Sequence, residues 1–442
     1  MTDRPPTTAL PDSGARRRGV FAHREFRLLW AGESVSALGT SVSRLALPLA
    51  AVVTVHASAF AVAALTALAW LPWLIIGLPA GAWVDRLPRR TVMLSADALS
   101  LVAIASVPAA AWWGALTLAH LLVVAALIGL AAVFFETAYQ VYLPGIIDVQ
   151  LLPQANAAVQ GSAGAAQVAG PGLAGAIAAA FGAVGGLAAD AISFAVSITC
   201  LSAIRSPERG PEDSDNPERG SLLTQIRTGL SFLAHDPYLR VLTVAGAAGN
   251  FALMGYQALL VVFLVREVGI SEATVGLLLS GMALGGLLGA LVALGLGRRL
   301  GAARAMLTAN LAAGPFALLI PLTAPGPRLF LTVIGGLGLG AGVVAGNVLK
   351  NSFRQAYVPR HLLGRVVVGM QFLNYGTIPL GALAAGALAT AIGVRPTLWA
   401  MVAGVAVAPL LLLIGPIKTQ RDFPATVAAA TTSNGHTPAA DQ

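Results

Sequence analysis

The stretch GAWVDRLPRR, residues 81–90, decides how this chain is read. Between Leu45 and Val84 there is no Asp, Glu, Lys or Arg; Asp85, Arg86, Arg89 and Arg90 then fall within six positions. Over 442 residues, hydrophobic residues make up 57% and charged residues 10%, against about 25% charged in an ordinary soluble chain. So few charges do not cover a water-facing surface, and the solvent for most of this chain is lipid. A spanning helix needs about 20 mostly apolar residues. Leu28–Val55 supplies them, behind a polar segment holding Arg16, Arg17 and Arg18. No short apolar region with a small-residue cleavage site precedes this span, so no cleaved signal peptide is expected.

Apolar runs set against turn and charge signals give twelve helices. Their approximate limits are 28–54, 59–84, 92–112, 116–140, 156–181, 184–204, 239–265, 273–297, 303–323, 328–350, 365–392 and 396–417. Loops on one side are short and nearly bare; on the other they are basic. Of the 27 Lys and Arg residues, 23 fall on the basic side, three (Arg266, Arg328, Arg395) on the other, and Arg44 inside a span. Short loops rich in Lys and Arg stay in the cytoplasm, so both termini are expected there, in a multi-pass protein of the plasma (inner) membrane. The net charge of +8 is therefore a topology signal and not a nucleic-acid footprint. GAWVDRLPRR becomes the cytoplasmic turn between the second and third spans.

The expected fold is an all-α membrane protein whose 12 transmembrane helices form two pseudo-symmetric six-helix bundles. Residues 1–27 form a cytoplasmic tail, 28–204 the N-terminal bundle, 205–238 a cytoplasmic linker, 239–417 the C-terminal bundle, and 418–442 a disordered cytoplasmic tail. Within the linker, Leu222, Ile226, Leu230 and Leu233 share one helical face, as in a helix lying on a membrane surface. The halves echo one another. GLGRRLGAAR (295–304) follows the eighth span as GAWVDRLPRR follows the second, and Pro171 and Pro379 occupy similar places in the fifth and eleventh. Transporters are often built from such repeats, with the substrate between the halves.

At these residues the sequence resembles the major facilitator superfamily. Gly81, Asp85, Arg86, Arg89 and Arg90 resemble its loop motif G-x-x-x-D-R-x-x-R-R, with Pro88 where a glycine is usual. In GSAGAAQVAGPGLAG, Gly161, Gly170, Pro171 and Gly175 resemble the antiporter motif of drug:proton exporters. FFETAYQVYLPGIID (134–148) and LGRVVVGMQF (363–372) resemble the macrolide and siderophore efflux branch. The resemblance implies export of small hydrophobic compounds by alternating access, driven by a proton gradient with no bound cofactor. A non-transporting receptor of the same fold and a nutrient importer are the alternatives. A conformational latch is expected from the loop motif, with Asp97 bracing the loop and Glu136 pairing with Arg89 or Arg90.

Charges inside the membrane are costly, about 2.5–3.5 kcal/mol each on insertion scales, so they are expected to face the interior and to have partners. Glu33 and Arg44 are eleven residues apart on one helical face, close to Ser36, Thr40 and Ser43. An ion pair of Arg44 with Asp190 is expected, and Glu33 followed by Asp190 is the expected proton carrier. The second half offers uncharged polar groups instead: Asn250, Gln257, Asn347 and Asn374, with Ser36 and Thr40, are expected to line the substrate cavity. Trp70 and Trp73 are candidates for stacking on cargo. With no basic cluster read at mid-membrane, multiply anionic cargo is not expected. GLGLGA (336–341) fits a dinucleotide pattern, but it has neither the preceding strand nor the following acid, and it reads as helix packing. No phosphate-binding loop, metal-ligand spacing or nucleophile–base motif is present, so neither an enzyme nor a metal site is expected. One cysteine, Cys200, excludes intrachain disulfides. The partners expected are the lipid bilayer and a small-molecule substrate, with the chain acting as a monomer.

Overall fold

A computed structural model describes residues 19–84, 86–205 and 231–424. The first bundle comprises α1 (Arg24–Leu49), α2 (Ala59–Val84), α3 (Arg89–Trp112), α4 (Leu118–Ile146), α5 (Leu152–Phe181) and α6 (Gly185–Ser202). The second comprises α7 (Pro237–Val262), α8 (Glu272–Leu300), α9 (Ala302–Ala317), α10 (Phe330–Tyr357), α11 (Arg360–Ile392) and α12 (Val394–Val407). With their short 3-10 and π extensions, twelve helical segments among the described residues are long and apolar enough to cross a membrane. Both ends of the described chain therefore lie on one face, called here the tail face; the opposite is the far face.

The repeat foreseen in the sequence is repeated in detail by the backbone. α1 ends in a π turn, Ala50–Thr54, and α7 in another, Phe263–Glu267. In each, a residue at positive φ follows two positions later: His56 at 54° and Gly269 at 73°. Ala57 N–H donates to the Ala51 carbonyl at 2.8 Å, and Ile270 N–H to the Leu264 carbonyl at 3.2 Å. Pro171 and Pro379 each stand nineteen positions beyond the first residue of α5 and α11. Small residues let the helices close on one another. Gly281, Gly285 and Gly289 of α8 seat Val333, Leu337 and Ala341 of α10, and Gly336 and Gly338 in the GLGLGA run pack on Met282 and Phe316.

Helix ends depart from expectation at the tail face. α4 continues through Pro144 to Ile146, and α10 continues to Tyr357. Leu349, Phe353 and Tyr357 explain the second extension, because they place a buried apolar stripe on the helix beyond Lys350. The expected tail boundary at 418 also moves. Asp422 Oδ1 accepts from Ala302 N at 2.8 Å, at the start of α9. Phe423 stacks on Phe353 with ring centroids 4.0 Å apart, so this segment belongs to the fold. Most of the linker, 206–230, lies outside the described residues, as does Asp85. Leu233 is buried in the tail-face core of the second bundle.

Candidate functional site: a crevice closed at one face

Core packing differs between the two faces. In the far half of the protein one continuous apolar cluster draws residues from all twelve helices. In the tail half each cluster stays within one bundle, and two are large. One, containing Phe26, Met93, Leu143 and Leu201, belongs to the first bundle. The other, containing Tyr238, Met306, Phe353 and Val366, belongs to the second. The bundles are thus sealed together at the far face and packed separately at the tail face, with a crevice between them.

Specific contacts reinforce the far-face seal. Arg266 Nη2, in the second π turn, donates to the Ala57 carbonyl at 2.7 Å and more weakly to Val52 at 3.4 Å, reaching across to the first π turn. Within the second bundle, Arg395 steadies the second π turn, holding Glu267 in an ion pair at 3.2 Å and lying over the Phe263 ring at 5.0 Å. α5 meets α8 where the antiporter-like motif stands. Gly172 N–H donates to Ser280 Oγ at 2.8 Å. A Cβ placed on Gly175 would come within 2.7 Å of the Glu272 carbonyl oxygen and 2.9 Å of Gly276 Cα, so only glycine permits this approach. Gly170 packs on Ser41 of α1, whereas Gly161 has open space beside it.

Below the seal, Trp70 and Trp73 of α2 meet Tyr375 of α11 at centroid distances of 5.6 and 6.0 Å. This aromatic group joins the two bundles. Beside it lies a group of ionisable residues from the first bundle. Glu33 sits in the Coulombic field of Asp97 and Glu136, and Glu136 in that of Arg44. Glu136 also acts on Tyr375 across the crevice. The group is graded in exposure: Arg44 and Glu136 are exposed, Glu33 partly buried, and Asp97 only 2% exposed. Ser197 Oγ of α6 donates to Asp97 Oδ2 at 2.7 Å. Three carboxyl groups share one guanidinium, so when all are ionised the group carries surplus negative charge that a proton or a cationic cargo would neutralise.

Several expected assignments change. Asp190 does not join this group. It is 1% exposed, accepts from Ser193 Oγ at 3.0 Å, and packs against Gly39 of α1. Among the described residues no ion pair links it to Arg44. The reason is rotation: Arg44 is five residues beyond Gly39, about 140° around the helix at about 100° per residue. Gly32, Ser36, Gly39 and Ser43 form the stripe facing α6, which takes Ser36 out of the crevice at 8% exposure; Thr40 stays on the Glu33–Arg44 face. The expected pairing of Glu136 with the α2–α3 loop also changes. With α4 ending at Ile146, Glu136 lies about 15 Å inside that end, in range of Arg44. Arg90 instead donates to the Leu201 carbonyl at 3.0 Å and the Ser202 carbonyl at 2.7 Å, at the end of α6. Asp97 braces α6 through Ser197. Arg86 is exposed, and Gly81 has nothing within 4 Å of its would-be Cβ.

In the second bundle Asn250 Nδ2 donates to Asn374 Oδ1 at 3.3 Å, and Asn347 shares a cavity with Asn250. Gln257 is exposed two turns further along α7. Three residues were not recognised from sequence: Arg266 as a cross-bundle contact, and Lys350 and Arg354 as residues of a span. The apolar stripe Leu349–Phe353–Tyr357 was the legible signal that α10 continues past them.

Comparison with known proteins bears on this architecture. The family model described as "Transmembrane secretion effector" matches residues 19–439. The multidrug efflux pump Tap of Mycolicibacterium fortuitum is 32% identical over 338 residues, covering 75% of this chain and 81% of that protein. Macrolide efflux protein A of Streptococcus pyogenes is 22% identical over 388 residues, covering 86% and 92%. Among solved structures, a bacterial homologue of the iron transporter ferroportin in its inward-facing state superposes with TM-score 0.72 at 17% identity, covering 90% of this chain and 99% of that one. Its outward-facing state, at 16% identity and covering 90% and 100%, gives 0.55. With twelve spans in two repeats around a central crevice, the chain is a multi-pass membrane protein that belongs to the transmembrane secretion effector family of the major facilitator superfamily.

Proposed function

We propose that this protein is a secondary exporter of small hydrophobic compounds that works by alternating access in antiport with protons. The tail face is the cytoplasmic one, by its excess of Lys and Arg, and the described conformation is inward-open. The observation that carries the reading is the ionisable group Glu33–Asp97–Glu136–Arg44, set in a crevice sealed at one face and unsealed at the other. Cargo enters from the cytoplasm or inner leaflet and packs against Trp70, Trp73 and Tyr375. Its binding and a proton on the carboxylates exclude one another, because either neutralises the same surplus charge. When the seal moves to the tail face, cargo leaves and the carboxylates meet the more acidic exterior. The export reading is also supported by the names of the relatives, multidrug efflux pump and macrolide efflux protein.

Everted vesicles test this. A proton gradient, acid inside, should drive uptake of a lipophilic cationic dye, and Glu33→Gln should abolish that uptake while the purified variant keeps its melting temperature. Undiminished gradient-driven uptake by Glu33→Gln would refute the coupling assignment.

A further inference from the structure

Inside the second bundle, α7, α9, α10 and α12 line a partly open cavity of about 90 Å³ with Asn250, Asn310, Asn347 and Lys350 among apolar neighbours. A drug-sized molecule needs about 300–1,000 Å³, so this cavity holds a single group and not a whole cargo. Lys350 is partly buried in its wall and Asn347 is exposed beside it. Lys350 makes no hydrogen bond or ion pair among the described residues, and neither does Asn347. No acid lines the cavity. Between Tyr238 and Lys418 the only acids are Glu267 and Glu272, both at the far-face ends of their helices, away from Lys350; Asp236, just before α7, is taken up by the Tyr357 hydroxyl and the Tyr238 and Leu239 N–H groups. One turn along α10 from Lys350 stands Arg354, in its Coulombic field, and like charges spaced i, i+4 repel. The ammonium group carries three donors and the Asn347 amide two more. Such a setting favours an acceptor of negative charge.

We propose that this cavity binds one small anionic group, held by Lys350 and Asn347: a carboxylate borne by the cargo, or a free inorganic anion. The transport reading enters only in naming cargo as one source; anion binding itself is measured without transport. With the acid group on the opposite wall, the carboxylate alternative makes bipolar molecules, cationic at one end and anionic at the other, the best-fitting cargo class.

The test uses the full chain in nanodiscs of zwitterionic lipid. Melting temperature is followed as sodium chloride or sodium acetate replaces sodium HEPES, which carries no carboxylate and whose sulfonate end is larger than either anion, at constant ionic strength. A saturable rise is expected with chloride or acetate, retained in Lys350→Arg. In Lys350→Gln the midpoint should shift by about tenfold or more, the loss expected for one hydrogen bond to a charged group. Displacement of the chloride curve by salicylate assigns the site to carboxylate cargo; an unmoved curve assigns it to a free anion. Identical titrations in wild type and Lys350→Gln, or no saturable rise in wild type, would overturn the proposal. Asn347→Ala, expected to weaken the midpoint severalfold, takes the place of Lys350→Gln if that variant does not fold. These outcomes are independent of Glu33→Gln transport, so failure here leaves the export reading standing, and the reverse.

Discussion

Replacing Arg266 with alanine removes the side-chain hydrogen bonds that tie the second π turn to the first across the far face. The 2.7 Å bond to the Ala57 carbonyl has charge-assisted geometry, whereas the 3.4 Å bond to Val52 is near the limit of a hydrogen bond. A hydrogen bond from a charged group contributes about 1.5–3 kcal/mol. Arg266 is exposed, so water competes, and about 1–2 kcal/mol of the far-face seal is expected to be lost, a factor of about 5–30 in the ratio of closed to open. The shared apolar cluster, the Gly175–Gly276 contact and the Gly172–Ser280 bond remain, so the seal is weakened and not abolished. Spin labels read this directly. With Cys200 replaced by serine, one pair at Trp113 and Arg328 reports the far face, and a second at Arg86 and Arg299 reports the tail face; all four positions are exposed. Arg266→Ala should add a longer far-face distance and a shorter tail-face distance in equal proportion. Unchanged distributions at both faces would show that the Arg266 contacts are incidental to the seal.

Other substitutions probe other parts of the same reasoning. Gly175→Val should force α5 from α8, because even a Cβ there falls within 2.7 Å of the Glu272 carbonyl; the far-face label pair should open further than in Arg266→Ala, and an unopened pair would contradict the packing argument. His56, at φ 54° where its repeat mate is Gly269, predicts opposite signs for two changes. His56→Gly should stabilise and Gly269→Ala destabilise, each by about 1 kcal/mol, as read by thermal melting, and equal signs would undo the equivalence of the turns. Tyr357→Phe removes the 2.6 Å bond that the Tyr357 hydroxyl donates to Asp236 Oδ2. Because that carboxylate also caps α7 through Tyr238 and Leu239, a loss of about 1.5–3 kcal/mol is expected. A melting temperature equal to wild type would mean the two cap bonds suffice.

The solvent of this protein, its twelve spans, their grouping six and six, and the confinement of membrane acids to the first half were all legible in the sequence. They rest on composition and on runs of about 20 residues, which a few misplaced positions do not disturb. Which acids meet was not legible. A boundary error of six residues at the end of α4 moved Glu136 about 9 Å in depth, at about 1.5 Å per residue, from a loop latch to the crevice. A turn of about 140° between Gly39 and Arg44 sent Asp190 into the contact of α1 with α6 and left Arg44 to Glu136. Helix ends and rotations are fixed by what neighbouring helices bury against them, as Leu349, Phe353 and Tyr357 fix α10 beyond Lys350. Hydropathy along one chain sums the apolar residues of a span without recording the face they occupy, so the charges' partners were decided only when the helices packed.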